Sequence, residues 1–486
     1  MKIGRYEVRG LLGRGGMGAV YKVAQPVTGR IAALKLLRPA DVLEDLVGLE
    51  TLAAKFEKEA GMMAAMDHPN IASVWDYDVA RVAGEERPFF VMEYYCLNLG
   101  MLIGESYRVE APTRRLPLER AVSYALQTLD ALDRMHHAGV VHRDVKPFNI
   151  MITGHDEVKL IDFGLSRLRG ETPGMEPGGV KVGSPYYAPP EQERDPDNVD
   201  GRADLFPVGI MLYRMLTGVL PNDDELLAET GGHIPPASSY SEDLDEAWDA
   251  FFVRATASDP ADRFPNARAM AVELVRLRDR WRARVRSVCS LLEDEGIVSA
   301  PCVPKGGLRE AYCKCGVPDA RQRFDLDELW RPRCMGRPSQ VPGQLLDKGD
   351  GTVLDAATGR MWQKLGSDYP LTWPEANDYV AWLNETAFAG HADWRLPTVD
   401  ELATIMEEPP MLGGYCVASV FRSETPERAS IIGGGEGAVY DPVRDSLWTC
   451  DRKSYMAAWF VSTTMGFVGW QDNTCRFGAR AVRTAA

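Results

Sequence analysis

Apolar residues at Val122, Leu126, Leu129, Leu132 and Met135 recur at intervals of three and four within residues 116–136. That spacing predicts an amphipathic helix packed along one side. The interval returns at Leu274, Leu277, Trp281, Val285 and Val288 and predicts a second long helix. Towards the N-terminus the pattern is strand-like. Tyr6-Glu7-Val8 leads into a β-forming stretch broken by glycines, and Ala32-Ala33-Leu34-Lys35 ends a short apolar run. Residues 89–95 read as a buried strand with an abrupt polar exit at Glu93. Residues 50–66 are charged and helix-favouring. From Leu345 the character changes. Residues 347–355 and 358–363 read as short strands joined by tight turns. Thr372-Trp373-Pro374-Glu375 is a capping box that opens a helix through Leu383, and residues 394–402 end a loop and cap another helix. Aromatic strand-like pieces follow at 446–449 and 458–461, with a last strand-like piece at 479–483.

Composition narrows the classes. At 486 residues the chain is long enough for several domains. A net charge of −15 argues against nucleic acid as a partner. No apolar run reaches the roughly 18 residues of a membrane-spanning helix, and residues 1–6 lack the apolar segment of a leader. A cytoplasmic protein without a membrane span is expected. A reducing cytosol argues against a disulfide framework, although eight of the nine cysteines lie between Cys289 and Cys475. Cys302, Cys313, Cys315 and Cys334 are numerous enough for a tetrahedral Zn²⁺ site. One residue separates Cys313 from Cys315, tighter than familiar zinc spacings, so free or occasionally paired thiols stand as the other reading. Arginines at 276, 278, 280, 282, 284 and 286 make the second long helix basic. A solvated face, or packing on an acidic neighbour, is favoured over lipid or nucleic acid.

Two short motifs change the picture most. His142-Arg143-Asp144-Val145-Lys146-Pro147-Phe148-Asn149 is followed, thirteen positions after Asn149, by Asp162-Phe163-Gly164. Phosphoryl transfer from ATP calls for such parts: a carboxylate to take the hydroxyl proton, an ammonium beside the moving phosphoryl group, and hard oxygens for a metal. Upstream, Gly13-Arg14-Gly15-Gly16-Met17-Gly18 lets a hairpin approach phosphate oxygens with backbone N–H groups. These residues resemble the Hanks-type serine/threonine protein kinases of bacteria, from about Tyr6 to about Arg280. The resemblance implies an α+β fold of two lobes, a β-rich small lobe over about 1–95 and an α-rich large lobe over about 96–280. It places Leu12, Gly13, Gly15, Gly18, Val20, Ala33, Lys35, Met92, Glu93 and Tyr95 around ATP. Lys35 would hold phosphates, and Glu59 would position it, with Glu57 the less favoured partner. Asp144 would orient the hydroxyl and Lys146 would offset charge. Asn149 and Asp162 would bind Mg²⁺, with Mn²⁺ as a substitute. His142 is read as a packing residue. Asp204 would anchor the catalytic loop, Glu191 would pair with Arg263, and phosphorylated Thr172 would pair with Arg143. Ser184, Pro189 and Pro207 depart from the family pattern.

The last 140 or so residues resemble the C-terminal domain family of the Legionella collagen-like protein. That implies a C-type-lectin-like α+β domain over 345–486, reached through a connector at 281–344. A ligand or protein partner is expected there, at loops around 413–435 and 465–477; presentation of substrates or a variable display scaffold are the other readings. Asp347-Lys348-Gly349-Asp350-Gly351 reads as a turn in preference to a calcium loop. Cys416, Cys450 and Cys475 have no recognisable base beside them and are given no catalysis. The expected function is an ATP- and Mg²⁺-dependent kinase of Ser/Thr hydroxyls on protein substrates. The alternative is a pseudokinase scaffold, which typically lacks one of the lysine and aspartates present here.

Overall fold

The structure, a computed structural model, describes the chain except residues 16–17, 41–43, 46, 83, 106–107, 163–184, 196–197, 223–233, 290–307, 334–344, 408–415, 422–445 and 486. The described residues form two compact units, one made of most of 1–283 and the other chiefly of 284–486.

The first unit begins with a six-stranded antiparallel sheet of order β1-β2-β3-β4-β6-β5. Its strands are β1 (Lys2–Ile3), β2 (Tyr6–Arg14), β3 (Gly18–Ala24), β4 (Ile31–Leu37), β5 (Val74–Val82) and β6 (Glu85–Glu93). β4 lies between β3 and β6 and is buried from Ala32 to Leu37, which is why its sequence is a nearly unbroken apolar run. Lys35 is the exception in that run. Helix α1 (Leu49–Ala65) buries Leu52, Phe56, Glu59, Ala60 and Met63. Glu59 therefore lies on the helix face that carries the core residues, whereas Glu57 is exposed.

The remainder of this unit is mostly helical. It contains a small sheet of β7 (Leu97–Asn98), β8 (Ile150–Ile152) and β9 (Val158–Leu160), with helices α2 (Leu99–Ile103), α3 (Leu118–His137), α4 (Pro190–Arg194), α5 (Leu205–Thr217), α6 (Glu246–Ala255) and α7 (Ala267–Cys289). α3 follows the periodicity of 116–136 closely. α5 is buried along its whole length. Pro207 falls in its first turn, where a missing N–H costs no helical hydrogen bond. Arginines of α7 meet carboxylates: Arg276 with Glu273, Arg278 and Arg282 with Asp279, and Arg280 with Asp245.

The second unit holds two antiparallel sheets. One is β10 (Leu345–Asp347), β11 (Thr352–Asp355), β12 (Arg360–Gln363) and β16 (Val482–Thr484); the other is β13 (Ser446–Arg452), β14 (Ala457–Ser462) and β15 (Phe467–Asp472). Its helices are α8 (Val317–Arg323), α9 (Trp373–Glu385) and α10 (Val399–Thr404). Thr372 and Thr398 both form complete capping boxes, with Glu375 and Glu401. Two expectations need correction. The 281–344 stretch is more than a connector: Cys315, Ala320, Phe324 and Leu326 are buried in one core with Val353, Trp362 and Trp459. Arg309 ties this stretch down, donating to Asp400 and to both oxygens of Asp451. The 465–477 stretch is a loop only in part: its middle is strand β15, and Met465, Phe467 and Val468 are buried. The other expected loop, 413–435, lies mostly outside the described residues. Asp347 and Asp350 are engaged in turns, accepting from Gly349 N at 3.0 Å and Thr352 N at 3.0 Å. Among the described residues no helix is long and apolar enough to cross a membrane.

Candidate active site

The 142–149 loop is held from below by one buried carboxylate. Asp204 is 1 % exposed, so its charge is fully committed to its partners. It accepts from His142 N and Arg143 N at 2.8 Å each, and meets His136 Nε2 at 2.8 Å. The His142 ring joins the loop to the next strand, with Nε2 3.2 Å from the Ile161 carbonyl and Nδ1 accepting from Asp144 N at 3.2 Å. That pattern fits a neutral ring, and burial pushes its pKa down against the pull of Asp204. Arg143 and Asp162 both sit at positive φ, 65° and 57°. Non-glycine residues rarely adopt this conformation, which here bends the chain on either side of the site.

Above this base, Lys146 Nζ donates to both oxygens of the Asp144 carboxylate, at 2.9 and 2.8 Å. Asn149 Nδ2 donates to the Asp144 carbonyl at 2.7 Å and to Asp144 Oδ2 at 3.0 Å. Ile161 N donates to Asn149 O at 3.1 Å, so Asn149 is also locked to the strand leading into Asp162. Lys35 crosses from the sheet: its Nζ lies 3.1 Å from Glu59 Oε1 and 2.8 Å from Asp162 Oδ1. Burial alone would depress the Lys35 pKa; the Asp162 and Glu59 carboxylates outweigh it and hold the pKa above the ordinary lysine value. Lys35, Glu59 and Asp162 thus meet directly, and Asp144, Lys146 and Asn149 form a cluster linked to them through Ile161.

The residues expected around the nucleotide line the same sheet. Ala33 of β4 pairs with Met92 of β6, Val20 of β3 pairs with Lys35, and Glu93 pairs with Ala32. Tyr95 follows β6 and is partly buried, its hydroxyl 3.4 Å from Glu93 Oε2; burial, then Glu93, raises its phenol pKa. Gly13, Gly15 and Gly18 sit at the β2–β3 turn, where Gly15 N donates to Gly18 O at 2.8 Å, and Leu12 is exposed beside them. A Cβ on Gly18 would lie 2.3 Å from the Leu36 carbonyl, whereas one on Gly13 would meet nothing within 4 Å. Gly18→Ala is therefore expected to cost about 1–3 kcal/mol and Gly13→Ala much less. Urea denaturation of the two variants checks this, and equal losses would show that β3 can shift away from β4.

The expected Glu191–Arg263 pair is formed, with two guanidinium contacts at 2.6 and 2.8 Å. Pro189 caps α4 in an extended conformation, φ −72° and ψ 150°, compatible with proline. Thr172, Ser184, Phe163 and Gly164 lie outside the described residues, as do Cys302 and Cys334 of the zinc reading. Burial raises the Cys313 pKa to about 12 and also raises that of Cys315, and among the described residues neither belongs to a group of three or more His, Cys, Asp or Glu that could hold a metal ion. A buried trio was missed. Arg214 Nη1 lies 3.1 Å from Tyr187 Oη and 3.6 Å from Glu105 Oε2, and Tyr187 Oη donates to Glu105 Oε2 at 3.0 Å. A lone arginine inside the apolar stretch of α5 was the available signal.

A sheet-borne lysine paired with a helix glutamate, facing an Asp-Lys-Asn loop and a second aspartate, defines the protein kinase class. Residues 6–265 match the protein kinase domain family, and residues 351–483 match the Lcl C-terminal domain family. The chain belongs to the protein kinase family and carries an Lcl C-terminal domain after the kinase domain. Serine/threonine-protein kinase PksC of Streptomyces coelicolor is 37% identical over 292 residues, covering 59% of this chain and 51% of that protein. Serine/threonine-protein kinase pkn3 of Myxococcus xanthus is 33% identical over 329 residues, 63% of this chain and 57% of that one. PknB of Mycobacterium tuberculosis is 31% identical over 338 residues, 68% and 51%. The chain spans about half the length of these curated relatives. Among solved structures, the Mycobacterium tuberculosis PknI kinase domain is 26% identical, covers 57% of this chain and 97% of that one, and has a TM-score of 0.42.

Proposed function

We propose that the chain is a protein serine/threonine kinase that moves the γ-phosphate of ATP to a Ser or Thr hydroxyl. The observation that carries this reading is Lys35 Nζ held between Glu59 and Asp162. An ammonium kept charged and aimed by two carboxylates suits the α- and β-phosphates of a nucleotide. Glu59 positions Lys35. Asp144, already fixed by Lys146 and Asn149, orients the incoming hydroxyl and accepts its proton, while Lys146 offsets charge on the transferred group. Gly13, Gly15 and Gly18 let the β2–β3 turn close on the phosphates, and Ala33, Met92 and Val20 enclose the base.

The donor set fits magnesium. Among the described residues no group of three or more His, Cys, Asp or Glu gathers, and Mg²⁺ bound with phosphates needs only one or two protein oxygens. Asn149 Oδ1 and the Asp162 carboxylate would supply them, and the ion would neutralise phosphate charge. Asn149 spends its N–H groups on Asp144, which leaves its oxygen as the acceptor side. ATP is a cytosolic metabolite, which favours a cytosolic kinase domain, and the Lcl domain is read as a module that binds a ligand or partner.

Radiolabelled ATP should place label on Ser or Thr of the full chain or of an added protein substrate, and chelation with EDTA should abolish it. Nucleotide binding with no transfer at all would favour a scaffold over an enzyme, and label that persists without divalent metal would overturn the assignment of Asn149 and Asp162 to magnesium.

A further inference from the structure

We propose that a cleft in the C-terminal domain, walled by Tyr312, Lys314, Trp373, Cys450, Arg452 and Tyr455, binds a small organic anion: a carboxylate or phosphate carried on a ring. This gives a chemical class to the ligand-binding reading of that domain and does not depend on kinase activity.

The cleft holds about 410 Å³, within the roughly 300–1,000 Å³ typical of small-ligand sites. Its lining contains two cations and no carboxylate, in a protein whose net charge is −15. Lys314 and Arg452 are partners across a parallel bridge, fixed by Cys315 N to Arg452 O and Arg452 N to Cys313 O at 2.9 Å each. Like charges directly opposite one another oppose pairing, and a neighbouring acid normally relieves them. The adjacent acid, Asp451, is turned elsewhere: it accepts from Arg309, from Cys313 N at 2.7 Å and from Val399 N at 2.9 Å. Cys450 adds no charge, since burial keeps its thiol protonated.

The two cations lean on aromatic rings instead. Lys314 Nζ is 4.2 Å from the Tyr455 ring centre, and Arg452 Cζ is 4.7 Å from that of Trp373 and 5.9 Å from that of Tyr455. Such contacts offset only part of the repulsion. Arg452 Nη2 donates to the Tyr455 carbonyl at 2.5 Å, but its buried Nε has no acceptor among the described residues. A buried donor in this state calls for an explanation, and a bridging anion would also screen the two cations from each other.

The walls add the ring preference. Trp373 is immobilised as the first residue of α9, with Nε1 donating to Thr449 O at 2.9 Å. Tyr312 and Tyr455 are 65 % and 78 % exposed, an unusual outlay of aromatic surface around a cationic site. A ring between them would bury that surface while its acid group reaches Lys314 and Arg452.

Calorimetric titration of the full chain, without ATP, tests this with phenyl phosphate, benzoate and neutral benzyl alcohol. One or both anions should bind at a single site, and benzyl alcohol should bind at least about tenfold more weakly. Lys314→Gln, at an exposed position, should weaken anion binding about tenfold without moving the thermal transition. The two anions separate phosphate from carboxylate preference. No heat from either anion at about 10 mM, equal binding of the alcohol, or unchanged affinity in Lys314→Gln would overturn the proposal. Phosphotransfer in the same preparation is a separate readout, so failure here leaves the kinase reading untouched.

Discussion

Asp144→Asn is expected to lower phosphotransfer by roughly 10²–10⁴-fold while ATP binding changes little. The substitution keeps the side-chain shape and one oxygen acceptor. It removes the negative charge and the second oxygen that Lys146 now shares, at 2.9 and 2.8 Å. An amide cannot take the hydroxyl proton, and Lys146 is left without its carboxylate partner. The groups assigned to the nucleotide are not touched directly: Lys35 bonds Glu59 and Asp162, and its contacts do not include Asp144. Initial rates of γ-phosphate transfer, measured beside an independent ATP-binding titration, separate the two effects. Wild-type rates in the variant would remove Asp144 from its assigned role. Glu57→Gln is the matched control, because Glu57 lies exposed on α1 while Glu59 is buried. It should leave both readouts unchanged.

Much of the kinase site was legible because its chemistry is local. Asp144, Lys146 and Asn149 lie within six residues, so one loop conformation brings them together wherever the fold places it. Lys35 and Glu59 are 24 residues apart, yet each is marked by its surroundings: a charge inside a buried strand, and a charge on the buried face of a helix. Burial of a charge is costly without a partner, so each implies the other. The C-terminal domain was less legible. Residues 313–326 reach its core through Cys315, Ala320, Phe324 and Leu326, and the one helical element among them, α8, is too short for its few apolar positions to mark a helix in the sequence. The cleft around Arg452 assembles three separate segments, 312–314, 373–377 and 450–455, and only the folded sheet brings them together. Its charge pattern cannot be seen from any one of them.

Arg214 carries the second large effect. Glu105 and Arg214 are 109 positions apart, and the helix around Arg214 reads as plain core. In the folded chain both side chains are inaccessible, their charged atoms are 3.6 Å apart, and Tyr187 bridges them. Arg214 also donates to the Val109 and Ala111 carbonyls at 2.5 and 3.1 Å. Burial raises the Glu105 pKa despite the opposing pull of Arg214, so this carboxylate depends on its few partners. Arg214→Met preserves a flexible apolar stem but strands Glu105 and two backbone acceptors. Its cost is expected at about 3–5 kcal/mol, the range for removing one member of a buried pair. Glu105→Gln in the same background should recover part of that loss, since a neutral amide tolerates burial better than an isolated carboxylate. Urea denaturation of the two single variants and the double variant gives the coupling directly. If the double variant loses the full sum of the single losses, the two residues act independently and the ion-pair account fails. Because Tyr187 lies just before α4, the loss should extend to the Glu191–Arg263 contact, detectable as faster hydrogen exchange across residues 187–194.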